Sequence, residues 1–91
     1  MSILRLTRVP RDGSTVGVRA EGTIVGEWVT LLERECAAAA REYGAVDLDM
    51  AGVTYVDGMG VMTLKRLGLA RVTISNCPPL IRELLDGGAA S

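Results

Sequence analysis

The chain has 91 residues, 48% of them hydrophobic, and a net charge of −1, which sets the expectation of one small domain, 1–91, with a single core. Acids and bases are interspersed, so no concentrated basic face is available to displace counterions from nucleic acid, and no apolar run is long enough to span a membrane. Histidine is absent and the two cysteines form no Cys-x-x-Cys pair, which leaves neither a zinc site nor a cysteine–histidine nucleophile. Arg5, Arg8 and Arg11 interrupt the apolar residues of the amino terminus where a signal peptide needs a continuous apolar stretch, so the expected location is cytoplasmic.

Ile3 to Val9 sets Ile3, Leu4 and Leu6 among Arg5, Thr7 and Arg8 and predicts a strand. Pro10 to Ser14 predicts a turn, and Thr15 to Ala20 alternates Val16 and Val18 against Thr15, Gly17 and Arg19, so the two strands make an antiparallel hairpin. Gly22 and Gly26 bracket Thr23-Ile24-Val25, a bend ahead of the first helix. Glu27 to Tyr43 is helical, with Trp28, Leu31, Leu32, Cys36, Ala39 and Tyr43 on one face and Glu33, Arg34, Arg41 and Glu42 on the other. Trp28 is expected to pack at the start of that helix, and Gly44 to end it.

Val46, Leu48 and Met50 alternate with Asp47 and Asp49, the pattern of a half-buried strand. Ala51-Gly52 loosens the backbone, and Val53 to Val56 leads to Asp57. From there the period becomes helical to about Leu67, with Val61, Leu64 and Leu67 on one side, Lys65 and Arg66 on another, and Gly68 as the stop. Asp57 stands where an N-cap belongs and its carboxylate can accept the first free amides of this helix, which Gly58 and Gly60 leave open. Ala70 to Ser75 predicts a short strand, and Leu80, Ile81, Leu84 and Leu85 a last helix that Gly87-Gly88 ends. Cys36 packs as a small hydrophobe, whereas Cys77 precedes Pro78-Pro79 at a helix start, the one place where a thiol could have a lowered pKa; a spectator role is the ordinary outcome.

Strands joined through helices favour parallel pairing, so the order strand, strand, helix, strand, helix, strand, helix predicts an α/β fold: a four-stranded mixed sheet with three helices packed on one face. The segment 46–60, VDLDMAGVTYVDGMG, resembles the signature of STAS domains, the fold of bacterial anti-sigma-factor antagonists, in which a buried strand runs into Asp-Ser-Ser-Gly at a helix start. Asp49 matches the strand aspartate, Val53 and Val56 the apolar positions, and Asp57 and Gly60 the ends of the tetrad. Gly58 and Met59 stand where the family has its two serines, the second of which a partner kinase phosphorylates; Met59 cannot accept a phosphoryl group. Family members usually continue with a further strand and helix, so a shortened version with an open sheet edge is implied.

Three functional classes compete. Catalysis has no assembled site, because Asp47 and Asp49 share one face of a strand and Asp57 caps a helix, each an ordinary structural task. A regulatory protein–protein interaction module is the preferred reading, with Asp57, Gly58, Met59, Gly60 and Thr63 as the partner-binding residues and the flexible, apolar Met59 at the tip. It needs neither metal nor cofactor. The resemblance implies signalling or transcription regulation, with an anti-sigma-type kinase or a transporter or regulatory subunit as partner and a homodimer through the sheet edge as a further option. A phosphorylation switch displaced to Thr54 or Thr63 is the weaker variant. The alternative is a small anionic ligand or nucleotide held by the amides behind Gly58 and Gly60, against which Asp57 competes.

Overall fold

The computed structural model describes residues 3–11 and 13–86. Strand β1 (Leu4–Pro10) pairs antiparallel with β2 (Thr15–Ile24), from Leu4 opposite Gly22 to Pro10 opposite Val16. After helix α1 (Glu27–Tyr43), strand β3 (Ala45–Val56) runs parallel to β2 along its whole length. Helix α2 (Gly58–Gly68) then carries the chain to β4 (Val72–Ser75), parallel to β3 from Val46 opposite Val72 to Asp49 opposite Ser75, and α3 (Pro79–Leu85) follows. The sheet order is β1-β2-β3-β4, a mixed sheet with the helices over one face.

Alternation decides which face is covered. Val16, Val18 and Ala20 of β2 and Val46, Leu48 and Met50 of β3 are buried under α1 and α2, and the other face carries Arg19, Glu21, Asp47 and Asp49. Leu4 and Leu6 of β1 also turn toward the helices, and Arg8, next in that series, reaches Glu35 and Glu42 on α1 through its guanidinium. These bonds raise the Arg8 pKa, first through Glu35 and then Glu42.

Four elements depart from the reading of the sequence. The bend expected between Gly22 and Gly26 is instead the end of β2, which continues to Ile24 opposite Val56. Register shifts between Arg19 and Glu21 and between Gly22 and Thr23 break the alternation while the ladder with β3 persists. Gly22 absorbs part of this irregularity at φ 107°, so close to β1 that a Cβ there would lie 2.0 Å from the Ile3 carbonyl oxygen. For the same reason β3 passes through Ala51-Gly52 without interruption.

Helix α1 is rolled relative to its expected face. Val29, Leu32, Cys36 and Ala39, spaced three, four and three, are buried, whereas Leu31 and Tyr43 are exposed and Trp28 packs part-buried against the core. Alanines at 37–40 carry so little apolar preference that the sequence pattern left the roll open. Gly44 ends the helix at φ 106°, its amide donating to the Ala40 carbonyl.

Gly68, expected as the stop of the second helix, lies within α2, and the cap is Leu69 in a right-handed conformation, its amide donating to Arg66 and Leu67. The last helix buries Ile81 and half-buries Leu85, but leaves Leu80 and Leu84 exposed. Asp12 of the first turn and Gly87-Gly88, the expected stop of α3, lie outside the described residues.

These two glycines give opposite outcomes in urea unfolding. Gly22→Ala should lose about 1–3 kcal/mol, because a side chain would meet the Ile3 carbonyl at a positive φ. Gly68→Ala, where a Cβ meets nothing within 4 Å, should gain roughly 0.5–1 kcal/mol from reduced freedom of the unfolded chain.

Candidate functional site

The β3–α2 junction is fixed by backbone first. The Asp57 amide donates to the Ile24 carbonyl at 3.1 Å, which anchors the end of β3 to the end of β2, and the Asp57 carbonyl accepts the Val61 amide at 2.9 Å as the first helical bond. Asp57 itself is extended, with φ −85° and ψ 179°, as an N-cap requires. Its carboxylate then works in two directions. Oδ1 accepts from the Gly60 amide at 2.7 Å, and Oδ2 accepts from the Gly26 amide at 3.1 Å, at the start of α1. The cap inferred from sequence is therefore present, and it joins two helix starts.

The two glycines of the tetrad have different tasks. Gly60 is buried against β2: a Cβ there would lie 2.8 Å from the Ile24 carbonyl oxygen and 2.6 Å from Val56 Cγ1. Gly58 is exposed, and a Cβ there would meet nothing within 4 Å. So only Gly60 is required sterically, and the reason is close packing rather than access to amides.

Of the five residues expected to meet a partner, Gly58 and Met59 are exposed, Met59 to 61%, and Asp57 is half-buried by its capping bonds. Gly60 and Thr63 must be removed from that surface. Thr63 is only 1% exposed, packed on the inner side of α2, where its hydroxyl accepts from Arg66 Nη2, a guanidinium that also pairs with Glu33 of α1. Thr54 remains exposed and donates to the Gly22 carbonyl at 3.2 Å. Met62, 56% exposed one turn beyond Met59, joins the outer surface of α2, and Tyr55, near the end of β3, is exposed as well. The spacing of three between Met59 and Met62 was the signal in the sequence that could have found this pair.

The strand acids are occupied by β4 and its turn. Asp47 accepts from the Ser75 hydroxyl at 2.8 Å and faces Arg11 at 3.5 Å. Asp49 accepts from the Ala51 amide at 3.0 Å and from Asn76 Nδ2 at 3.2 Å. The Ala51 amide is the main cause holding its carboxyl below the usual aspartate value, and burial opposes it. Asn76 itself is in the left-handed region, φ 52°. Among the described residues no three Cys, Asp or Glu side chains converge as metal ligands.

Neither thiol is activated. Cys36 is fully buried in the core, and burial pushes its pKa up to about 12. Cys77 has the ordinary outcome expected of it: the thiol packs against the core and desolvation raises its pKa, with Arg82 only partly opposing. The following helix has Pro78 as its N-cap and no side-chain capping bond.

A mixed sheet covered on one face, whose third strand delivers an aspartate to the N-terminus of the second helix, is the STAS fold. Among solved structures the chain is similar to that of the anti-sigma factor antagonist SpoIIAA in its unphosphorylated form, with a TM-score of 0.67 and 16% sequence identity over 90% of this chain and 82% of that one. No family model and no curated protein matches the sequence.

Asp57→Ala should cost about 1–2 kcal/mol through loss of the cap. Gly60→Ala should cost about 1–3 kcal/mol through overpacking on Ile24, and Gly58→Ala should change little; urea titrations of the three variants check this order. Cys36 should resist alkylation until the protein unfolds. Because its folded pKa is raised, its stabilising contribution is complete below the ordinary thiol value of 9.0 and is lost as pH rises toward about 12. The stability gap between the protein and Cys36→Ala should therefore narrow across that window in pH-dependent urea unfolding.

Proposed function

We propose that the protein is a non-enzymatic binding module that holds a protein partner against the start of α2, in a regulatory role of the anti-sigma-antagonist kind. The observation that carries this reading is the exposed pair Met59 and Met62 on a helix whose entry is otherwise fixed by Asp57. Two unbranched, polarizable side chains on a rigid support give an adaptable apolar contact at little cost in backbone order. Gly58 keeps the approach to them open. The likeness in fold to SpoIIAA supports a protein as partner; the resemblance of the 46–60 motif suggests an anti-sigma-type kinase or a transporter or regulatory subunit.

The contact is constitutive in this reading. Met59 removes the hydroxyl from the motif position, and the burial of Thr63 argues against a switch moved one turn along. We place the protein in the cytoplasm; no helix among the described residues is long and apolar enough to cross a membrane. The anionic-ligand reading is disfavoured by the Asp57 carboxylate, which takes the Gly60 amide and would repel an anion at the same place.

The test is capture from native lysate with the tagged protein and with Met59→Asp as baits. Met59 is exposed, so the variant should keep its melting temperature, while the specific partner should fall by about tenfold or more. Equal recovery by both baits would sink the reading. Nucleotides and phosphorylated metabolites should leave the melting temperature unchanged.

A further inference from the structure

The two edges of the sheet are built differently. Strand β1 carries Arg5 and Arg8 and ends in Pro10, so an approaching strand meets charge and a missing donor. Strand β4, at the other edge, is Val72-Thr73-Ile74-Ser75, with no charged residue and no proline. Its inner side is paired with β3, and no strand lies on its outer side among the described residues.

A cleft of about 470 Å³ lies beside this edge on the helix-covered side of the sheet, between α2, β4 and α3. Leu64, Leu69, Ile74 and Leu85 make its apolar walls, and Lys65 and Arg82 stand on it as cations. Ile74 belongs to β4 itself and points to the same side as the buried Val72. A strand paired to β4 would therefore send alternate side chains into the cleft and the others over the polar face with Thr73 and Ser75. The backbone edge and the cleft together have the geometry of a site for an extended chain, and a compact ligand would use only the cleft.

Charge narrows the occupant further. The one acid on the cleft, Asp86, is already 3.6 Å from Arg82, so the walls are net positive. Two copies set edge to edge would bring two such walls together, whereas a strand bearing an acid would complement them. We propose that the β4 edge receives an extended segment of another protein as a fifth strand, with alternating apolar side chains in the cleft and an acidic residue against Lys65 and Arg82. This site is separate from the tip of α2 and does not depend on the reading of Met59.

Selection of random peptides displayed on phage, against the folded protein with Leu69→Lys as the counter-bait, tests it. Leu69 is 89% exposed, so the substitution changes the cleft without unfolding the domain. Recovered peptides should alternate apolar residues and carry Asp or Glu. As synthetic peptides they should protect outward amides of β4 from hydrogen exchange, and bind Leu69→Lys and Lys65→Glu about tenfold or more weaker. Met59→Asp should bind them unchanged. The proposal is overturned if no peptide is enriched over the counter-bait, if enriched peptides protect the α2 start instead of β4, or if light scattering finds a dimer that already protects the β4 edge.

Discussion

The carboxylate of Asp57 accepts the Gly60 amide through one oxygen and the Gly26 amide through the other, and the β3–α2 junction is arranged around that double acceptance. Each bond supplies an acceptor to a backbone donor at a helix start, a place where intrahelical partners are missing. Negative charge beside the positive end of the α2 dipole adds to the effect. The consequence is architectural as well as local. The entry of α1 is tied to the entry of α2 through a residue that is itself anchored by its amide to Ile24 at the end of β2. Two chain segments distant in sequence, 24–26 and 57–60, thus meet at one residue.

Gly60 completes the arrangement from below. With hydrogen in place of a side chain, the first turn of α2 sits directly on the Ile24 carbonyl and Val56, so the helix start is held against the sheet as well as capped. What this rigid base presents outward is apolar: Met59, then Met62 a turn later. Where the resembled motif has two serines, this chain has a glycine and a methionine. The change removes the hydroxyls from these two positions and leaves the cap and the close packing beneath them in place. The scaffold and the signal are separable, because the cap and the close packing use Asp57 and Gly60 while the two positions between them face away from the core.

The acids that drew notice in the sequence have become part of the sheet. Asp47 and Asp49 lie on its uncovered face and bond to Ser75 and Asn76, at the end of β4 and the turn after it. They fix where β4 ends and the chain turns off toward α3, and so they help define the β4 edge, which no further strand covers among the described residues. On the other margin Arg8, bonded to two glutamates of α1, ties β1 to the helical layer. Polar side chains therefore set both margins of the sheet, but only one margin is defended against a further strand.

Much of this was legible from residues alone because it depends on local rules. Alternation of Val46, Leu48 and Met50 against two aspartates fixed the central strand and its buried face, and the aspartate before a change of period fixed the start of α2. Element order fixed a mixed sheet with helices on one face. Tertiary contact decided the rest. The roll of α1 needed the sheet beneath it, since a run of alanines gives no preferred face. The extension of β2 to Ile24 needed β3 as a ladder partner, which overrode the turn propensity of Gly22. Leu64 and Leu67 marked the inner face of α2 in the sequence, but that Thr63 went inward with them and Met59 outward needed the exact roll, which the Gly60–Ile24 contact helps fix.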